Sequence, residues 1–314
     1  MKFFAPDFWY AGRHPLAYVL LPLSWIWRFA AYLRAALTKP YTSGVKVICV
    51  GNIAVGGTGK TPACIALATR FQDKKIAFLT RGYGGRQRNP VVIRHATDAA
   101  QYGDEAVLLS RHAPVIVAAN RARGLKVAEQ QGFDIVIADD GFQNPSFTKD
   151  ISVLVINGAT GLGNGFVMPA GPLRETPASA AARAGAVLIV GPDATHVSDA
   201  FPGLPILNAH FSLLPGAPDV SVPYVAFAGI GQPQKFFNTL GDAGYVIAET
   251  VSFPDHHAYT GADLDRLQRL AARHNARLIT TEKDYVRLLP AANVNIATLP
   301  VALAIEGDLD GILK

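Results

Sequence analysis

The chain has 314 residues, half of them apolar and only 17% charged, which excludes a disordered or fibrous protein and suits one large or two modest globular domains. Its 29 glycines and 21 prolines fit a loop-rich α/β enzyme better than a helical bundle. The net charge of +5 is concentrated at one end: Lys2, Arg13, Arg28, Arg34 and Lys39 against Asp7 leave +4 within the first 45 residues. The body therefore lacks the basic face of a nucleic-acid binder, and the excess points to an anionic membrane surface.

Residues 15–27 (PLAYVLLPLSWIW) form an uncharged run of 13, interrupted by Pro22 and ended by Arg28. That is short of the roughly 20 apolar residues a spanning helix needs. Nor does it end in the small residues of a signal-peptide cleavage site. Tyr18, Trp25, Trp27 and Tyr32 are side chains favoured at a lipid–water boundary, and Arg28 and Arg34 can snorkel from it. Residues 15–38 read as an interfacial helix; the competing reading is a helix packed on the protein's own core.

From residue 45 onward strands and helices alternate. Residues 45–50 (VKVICV) form a buried parallel strand, residues 54–61 a glycine-rich turn and residues 62–71 a helix. Strands are expected at 76–80, 115–119, 134–138, 151–156 and 186–190, with helices at 104–112 and 121–131. The pattern predicts a parallel sheet with helices on both faces. Residues 157–177 make a long Gly- and Pro-rich loop of the kind that is usually functional. The proline-rich stretch 204–223 reads as a domain boundary. Beyond it, strands at 224–228, 245–251 and 277–281 and helices at 233–241, 261–274 and 284–289 make a second, smaller α/β unit, with Thr260 as N-cap of the helix from 261. The expected division is 1–40, 41–210 and 211–314. Cys49 and Cys64 offer neither a disulfide framework nor a metal cluster and read as small buried thiols.

The chemistry starts at Ala54, Val55, Gly56, Gly57, Thr58, Gly59, Lys60 and Thr61, which match the P-loop spacing with Ala54 at the usual first glycine. The glycines let backbone N–H groups converge on phosphate oxygens, Lys60 brings positive charge to the β- and γ-phosphates, and Thr61 offers its hydroxyl to Mg²⁺. The following helix aims its positive end at the anion. The apolar strand 133–138 then runs into Asp139 and Asp140 in the Walker B manner. Asp139 would organise Mg²⁺, and Asp140 is either a second carboxylate beside the metal or a base. A guanine-reading Asn-Lys-x-Asp stretch is absent, since 281–284 (TEKD) has the wrong spacing. The signature lysine of partitioning-type membrane ATPases is replaced by Val55, so that alternative loses ground without vanishing.

Seven strings in order are more specific than a P-loop. GNIAVGGTGKTP (51–62), RGYGG (81–85), GDE (103–105), DDGFQ (139–143), PAGPLRE (169–175), FPDHH (253–257) and TEKD (281–284) resemble those of the tetraacyldisaccharide 4'-kinases of lipid A biosynthesis, across nearly the whole chain. Asn144 stands where that family usually has His after Gly-Phe-Gln. The resemblance implies transfer of a phosphoryl group from ATP, with Mg²⁺, to the 4'-hydroxyl of a tetraacylated glucosamine disaccharide 1-phosphate, giving lipid IVA at the cytoplasmic face of the inner membrane. It calls for no nucleic acid and no obligate protein partner. On this reading Asp104 is the base, with His256 as its partner across a domain cleft and His257 as the competing choice. Glu105 and Glu175 are candidates for the metal surroundings or nucleotide contacts. Arg121 and Arg174 would neutralise developing phosphate charge, Gln143 would orient phosphate or a metal-bound water, and Lys283 and Asp284 would shape the domain interface.

Overall fold

The computed structural model describes residues 6–12, 14–288 and 295–313. Lys2, Arg13 and the expected helix end at Leu289 lie outside the described residues. In chain order the elements are α1 (Pro15–Leu37), β1 (Lys46–Gly51), α2 (Lys60–Ala68), β2 (Ile76–Thr80), β3 (Val91–Ile93), α3 (Ala99–Tyr102), α4 (Asp104–Leu109), β4 (Val115–Val117), α5 (Arg121–Gln130), β5 (Ile135–Asp139) and β6 (Ile151–Asn157). They continue with α6 (Pro177–Ala181), β7 (Ala186–Val190), β8 (Ile206–Leu213), β9 (Tyr224–Ala228), α7 (Pro233–Asp242), β10 (Ile247–Ser252), α8 (Gly261–Arg273), β11 (Arg277–Thr280), α9 (Glu282–Leu288), β12 (Ile296–Thr298), β13 (Val301–Glu306) and α10 (Leu309–Leu313).

Nine strands form the large sheet in the order β13-β8-β7-β6-β1-β5-β2-β4-β3. All neighbours from β8 to β4 are parallel, and antiparallel strands close each edge. The central strands are buried on both faces, as their continuous Val/Ile runs require. One face carries α2, α4 and α10, through residues such as Leu67, Leu109 and Leu313; the other carries α5 and α6, through Leu125 and Ala180. Cys49 and Cys64 are buried free thiols, and burial pushes Cys49 up to about 12.

The smaller sheet has the order β10-β9-β11-β12, all parallel. α7 packs on one side through Phe236, Phe237 and Leu240, and α8 on the other through Leu264 and Leu267. Thr260 caps α8 with a full capping box completed by Asp263.

Two sequence expectations change here. The proline-rich stretch holds the strand β8, which pairs with β7 and β13, so a division at residue 210 falls inside a strand. Pro205 precedes this strand and Pro215 follows it, so no ladder N–H is lost. Residues 301–313 also leave the smaller unit: β13 completes the edge of the large sheet, and Leu309 and Leu313 enter its core.

α1 runs unbroken through Pro22 for 23 residues, long and apolar enough to cross a membrane by length and composition. Only Ala17 and Ser24 are buried in it. It meets the body along one stripe. Ser24 Oγ donates to Val167 O (2.6 Å), Trp27 Nε1 donates to Arg174 O (3.2 Å), and the Tyr18 ring meets Phe166 edge-on. Trp25, Ile26, Phe29 and Tyr32 are exposed. A core helix would bury them, so the core-packed reading does not hold.

Candidate active site

The register places Val50 of β1 beside Asp139 of β5, so the turn after β1 and the carboxylates after β5 emerge at the same sheet end. Ligand sites in open parallel sheets form at these carboxyl ends. Gly59 caps α2 in the left-handed region (φ +92°), which a side chain would resist. Buried Asn52 shapes the turn, its Nδ2 donating to Ala54 O (2.6 Å) and Thr58 Oγ1 (3.2 Å). The long loop braces it from outside: Val55 N–H donates to Pro172 O (2.9 Å), and Arg174 N–H to Ile53 O (2.6 Å). The stretch that holds α1 therefore also holds the phosphate turn.

Thr61 Oγ1 donates to Asp139 Oδ2 (3.0 Å). The other oxygen, Asp139 Oδ1, is buried without a hydrogen-bond partner. Burial, then repulsion from Glu105, raises the Asp139 pKa to about 7. A cation at this oxygen would restore the missing charge balance, so the Thr61–Asp139 pair fits Mg²⁺. Among the described residues no group of three or more His, Cys, Asp or Glu forms a protein-only metal cage. Substrate phosphates and water would have to complete the coordination, which is usual for Mg²⁺.

Asp140 lies 4.0 Å from Lys60 Nζ and 3.0 Å from Arg174 NH1. Burial works against its charge, but Lys60 and Arg174 prevail and its pKa is lowered. Arg174 also donates to Gln143 Oε1 (3.2 Å), and Gln143 Nε2 donates to Asn52 O (2.8 Å) and Glu175 Oε1 (3.0 Å). Glu175 accepts further from Ser179 and Arg183. No described contact joins it to Thr61 or Asp139, so its place is behind Gln143. Arg121 is buried beneath β5, donating to Ala118 O (2.9 Å) and Asp139 O (3.3 Å), with Nε unpartnered. Burial pushes its pKa down to about 10.

The smaller unit supplies the facing wall. His256, at φ +54°, sits in the loop after β10, its N–H donating to Gly229 O (3.1 Å). Its Nδ1 lies 2.9 Å from Oδ2 of Asp104, the first residue of α4 and 5% exposed. Arg287 of α9 donates through Nε (2.8 Å) and NH2 (2.6 Å) to the same oxygen. Asp104 Oδ1 accepts the Glu105 N–H (3.2 Å). Burial opposes the Asp104 charge, yet the His256 bond, Lys283 and Arg287 hold its pKa well below the usual carboxylate range. The position of Asp104 is set by Gly103 (φ +89°), where a Cβ would stand 2.4 Å from Tyr83 O. The exposed Tyr83 ring meets His256 edge-on at 5.5 Å.

The structure thus gathers Lys60, Thr61, Asp139, Asp140, Gln143, Arg121 and Arg174 at the phosphate turn, and joins Asp104 to His256 across the cleft. His257 is turned away, paired with Asp263 (3.0 Å) and stacked on Phe253. Lys283 reaches Glu105 (3.5 Å), while fully buried Asp284 anchors Gly229, Tyr259 and Arg287. Asn144 closes a turn to Ser146 and Lys149. Sequence reasoning missed Arg287, Asn52 and Tyr83. Tyr83 stood within the quoted RGYGG string, and Asn52 within the phosphate-turn string.

The fold and the sequence are similar to those of known proteins. The crystal structure of LpxK from Aquifex aeolicus in complex with ATP matches with a TM-score of 0.77 at 25% identity, over 95% of this chain and 98% of that one. A tetraacyldisaccharide 4'-kinase of Maricaulis maris is 45% identical over 324 residues, covering 98% of this chain and 95% of its own. That of Parvibaculum lavamentivorans is 45% identical over 300 residues, covering 90% and 86%. Residues 16–314 match the family model described as LpxK, tetraacyldisaccharide-1-P 4'-kinase, and the chain belongs to that family.

Proposed function

We propose that this enzyme transfers the γ-phosphoryl group of ATP to the 4'-hydroxyl of a tetraacylated glucosamine disaccharide 1-phosphate. The observation that carries the reading is the Asp104–His256 contact (2.9 Å) facing a complete phosphate turn. An ATPase needs only the second of these, whereas a kinase must also receive a proton from its acceptor hydroxyl.

Each group then has a task. The turn 54–61 and the α2 N-terminus hold the phosphates, with Lys60 on the β/γ side. Thr61 and Asp139 would hold Mg²⁺, which when bound neutralises charge on the transferred phosphoryl group. Glu105, close enough to raise the Asp139 pKa, would add a second carboxylate to the surroundings of the metal. Lys60 and Arg174 keep Asp140 ionised, and Gln143 fixes Arg174 so that its charge faces the phosphates. Arg121 supports the backbone of Asp139 from below and adds a poorly solvated positive charge. Glu175 fixes Gln143 rather than metal. The Asp104–His256 pair accepts the sugar hydroxyl proton. Asp104 is kept ionised by its neighbours, and His256 is oriented through Nδ1, which leaves Nε2 directed away from Asp104.

α1 fits the same account. Its exposed Trp25, Ile26, Phe29 and Tyr32 would lie in the cytoplasmic face of the inner membrane, and its bonds to residues 167 and 174 bring the lipid surface to the phosphate turn. A lipid acceptor then reaches the cleft without leaving its membrane.

The test is incubation with Mg²⁺-ATP and the disaccharide lipid in detergent micelles, followed by mass analysis. A lipid heavier by one phosphoryl group is expected. ATP hydrolysis stimulated by liposomes, with the lipid unchanged, would instead favour the partitioning-type ATPase.

A further inference from the structure

Arg287 is 183 residues from Asp104 in sequence, yet its guanidinium makes four hydrogen bonds that join three residues of the two units. Its Nε and NH2 both donate to Asp104 Oδ2, and its NH1 donates to Gly229 O (2.7 Å) and Asp284 Oδ1 (2.8 Å). Both partners of the Asp104–Arg287 pair are almost fully buried, with side-chain exposures of 6% and 7%. Gly229 O is also the acceptor of the His256 N–H. One guanidinium therefore touches the carboxylate from the large unit and the carbonyl that holds the His256 N–H in the smaller one.

We propose that Arg287 is a positioning residue, an interdomain latch that sets Asp104 and His256 in register when α9 docks on α4. The inference rests on the reading of Asp104–His256 as the proton-accepting pair.

The geometry explains why an arginine is used. A planar fork reaches one carboxylate oxygen with two of its nitrogens while the third points back to Gly229 and Asp284. A lysine keeps the charge but cannot make both sets of bonds. The surroundings leave Arg287 little alternative: Asp284 is wholly buried and held by Thr281, Tyr259 and Gly229. The other cation of α9, Lys283, is taken by Glu105 (3.5 Å), and Lys60 of α2 faces Asp140. Releasing Arg287 would free the smaller unit's loop from α4 while leaving the phosphate turn as it is. The consequence falls on turnover and not on nucleotide binding.

A double-mutant cycle on the full chain tests this, with kcat and KM for the lipid, ATP affinity and a thermal melt as readouts. Arg287→Ala should lower kcat about ten- to a hundredfold while changing ATP affinity by no more than about twofold. Arg287→Lys should recover part of the loss. In a His256→Ala background, Arg287→Ala should cost no more than about a further twofold, because the pair it positions is already gone. If Arg287→Ala loses its cooperative melt, Arg287→Lys takes its place in the cycle with the same non-additivity expected. Equal losses in both backgrounds, or wild-type kcat in Arg287→Ala, would overturn the latch alone. Wild-type turnover in His256→Ala would overturn the proton-accepting pair and the latch with it.

Discussion

At the scale of single residues the site is built on charge held in unusual places. Lys60 is the simplest case. Its ammonium faces Asp140 at the mouth of the phosphate turn, and Lys60→Ala should lower turnover by roughly three orders of magnitude, with the thermal melt kept. Wild-type turnover would remove the turn from the mechanism. Asp139 is a buried carboxylate whose folded pKa, about 7, stands above the unfolded value of 3.8. Its neutral form is the one the fold favours. The resulting stability is fully present below the unfolded pKa and is lost as pH rises through about 7. Without metal or nucleotide, the melting temperature should therefore fall between about pH 4 and pH 7, and Asp139→Asn should flatten that fall. An unchanged slope in the variant would place the titration elsewhere. Asp104 and His256 should behave as one unit. Each alanine variant should slow the chemical step, and the double variant should be little worse than the worse single one. Multiplicative losses would mean two separate roles. Lys60 and Asp139 were legible because motif spacing names them, and Asp104 and His256 because they stand in strings that resemble the family's. Arg287 was not, because its partner lies 183 residues away and only tertiary docking brings the two together.

At the scale of elements, the strand–turn–helix around Lys60 and the apolar strand ending at Asp139 could be read from hydrophobic runs alone, since both strands are central and buried on both sides. β8 could not. Its burial alternates irregularly, its outer edge pairs with β13, and the prolines beside it look like a linker. β13 and α10 were missed for a related reason: pairing with a strand some ninety residues earlier leaves no local signal in the sequence. α9 is where a short element carries much of the interface. Its Asp284 is unexposed and accepts from Gly229, Tyr259, Thr281 and Arg287, so Asp284→Ala leaves the Gly229 N–H and the Tyr259 and Thr281 hydroxyls without their acceptor and removes one of the two carboxylates bonded to Arg287. It should cost about 3 kcal/mol or more in urea unfolding. A change below about 1 kcal/mol would mean that the donors now held by Asp284 find other acceptors. α1 makes the opposite prediction. It buries only Ala17 and Ser24, so a chain lacking residues 1–38 should keep its melt and its ATP affinity. It should sediment poorly with anionic liposomes and lose activity on micellar lipid. Loss of the melt would show that the body depends on the helix for stability.

At the scale of the whole molecule, a mixed nine-stranded sheet and a parallel four-stranded sheet meet where α9 packs on α4, and each carries part of the proposed site. The large sheet carries the proposed phosphate turn with Thr61 and Asp139; the smaller one brings His256 and Arg287 to Asp104. α1 stands beside the phosphate turn through residues 166–174, so on the proposed reading the membrane surface, the acceptor and the nucleotide would meet around one loop. This arrangement suits a reaction whose acceptor stays in lipid while its donor arrives from water. It also explains why a phosphate turn alone would mislead: the same turn serves ATPases, and only the opposite wall tells the two apart. The most direct measurement is the ratio of ADP released to phosphorylated lipid formed, with the new phosphate located by fragmentation of the product. The account predicts one ADP for each disaccharide phosphorylated at its 4'-position, and almost no ADP when the lipid is withheld. ADP released at the same rate without the lipid, or phosphate found at any other position, would contradict it.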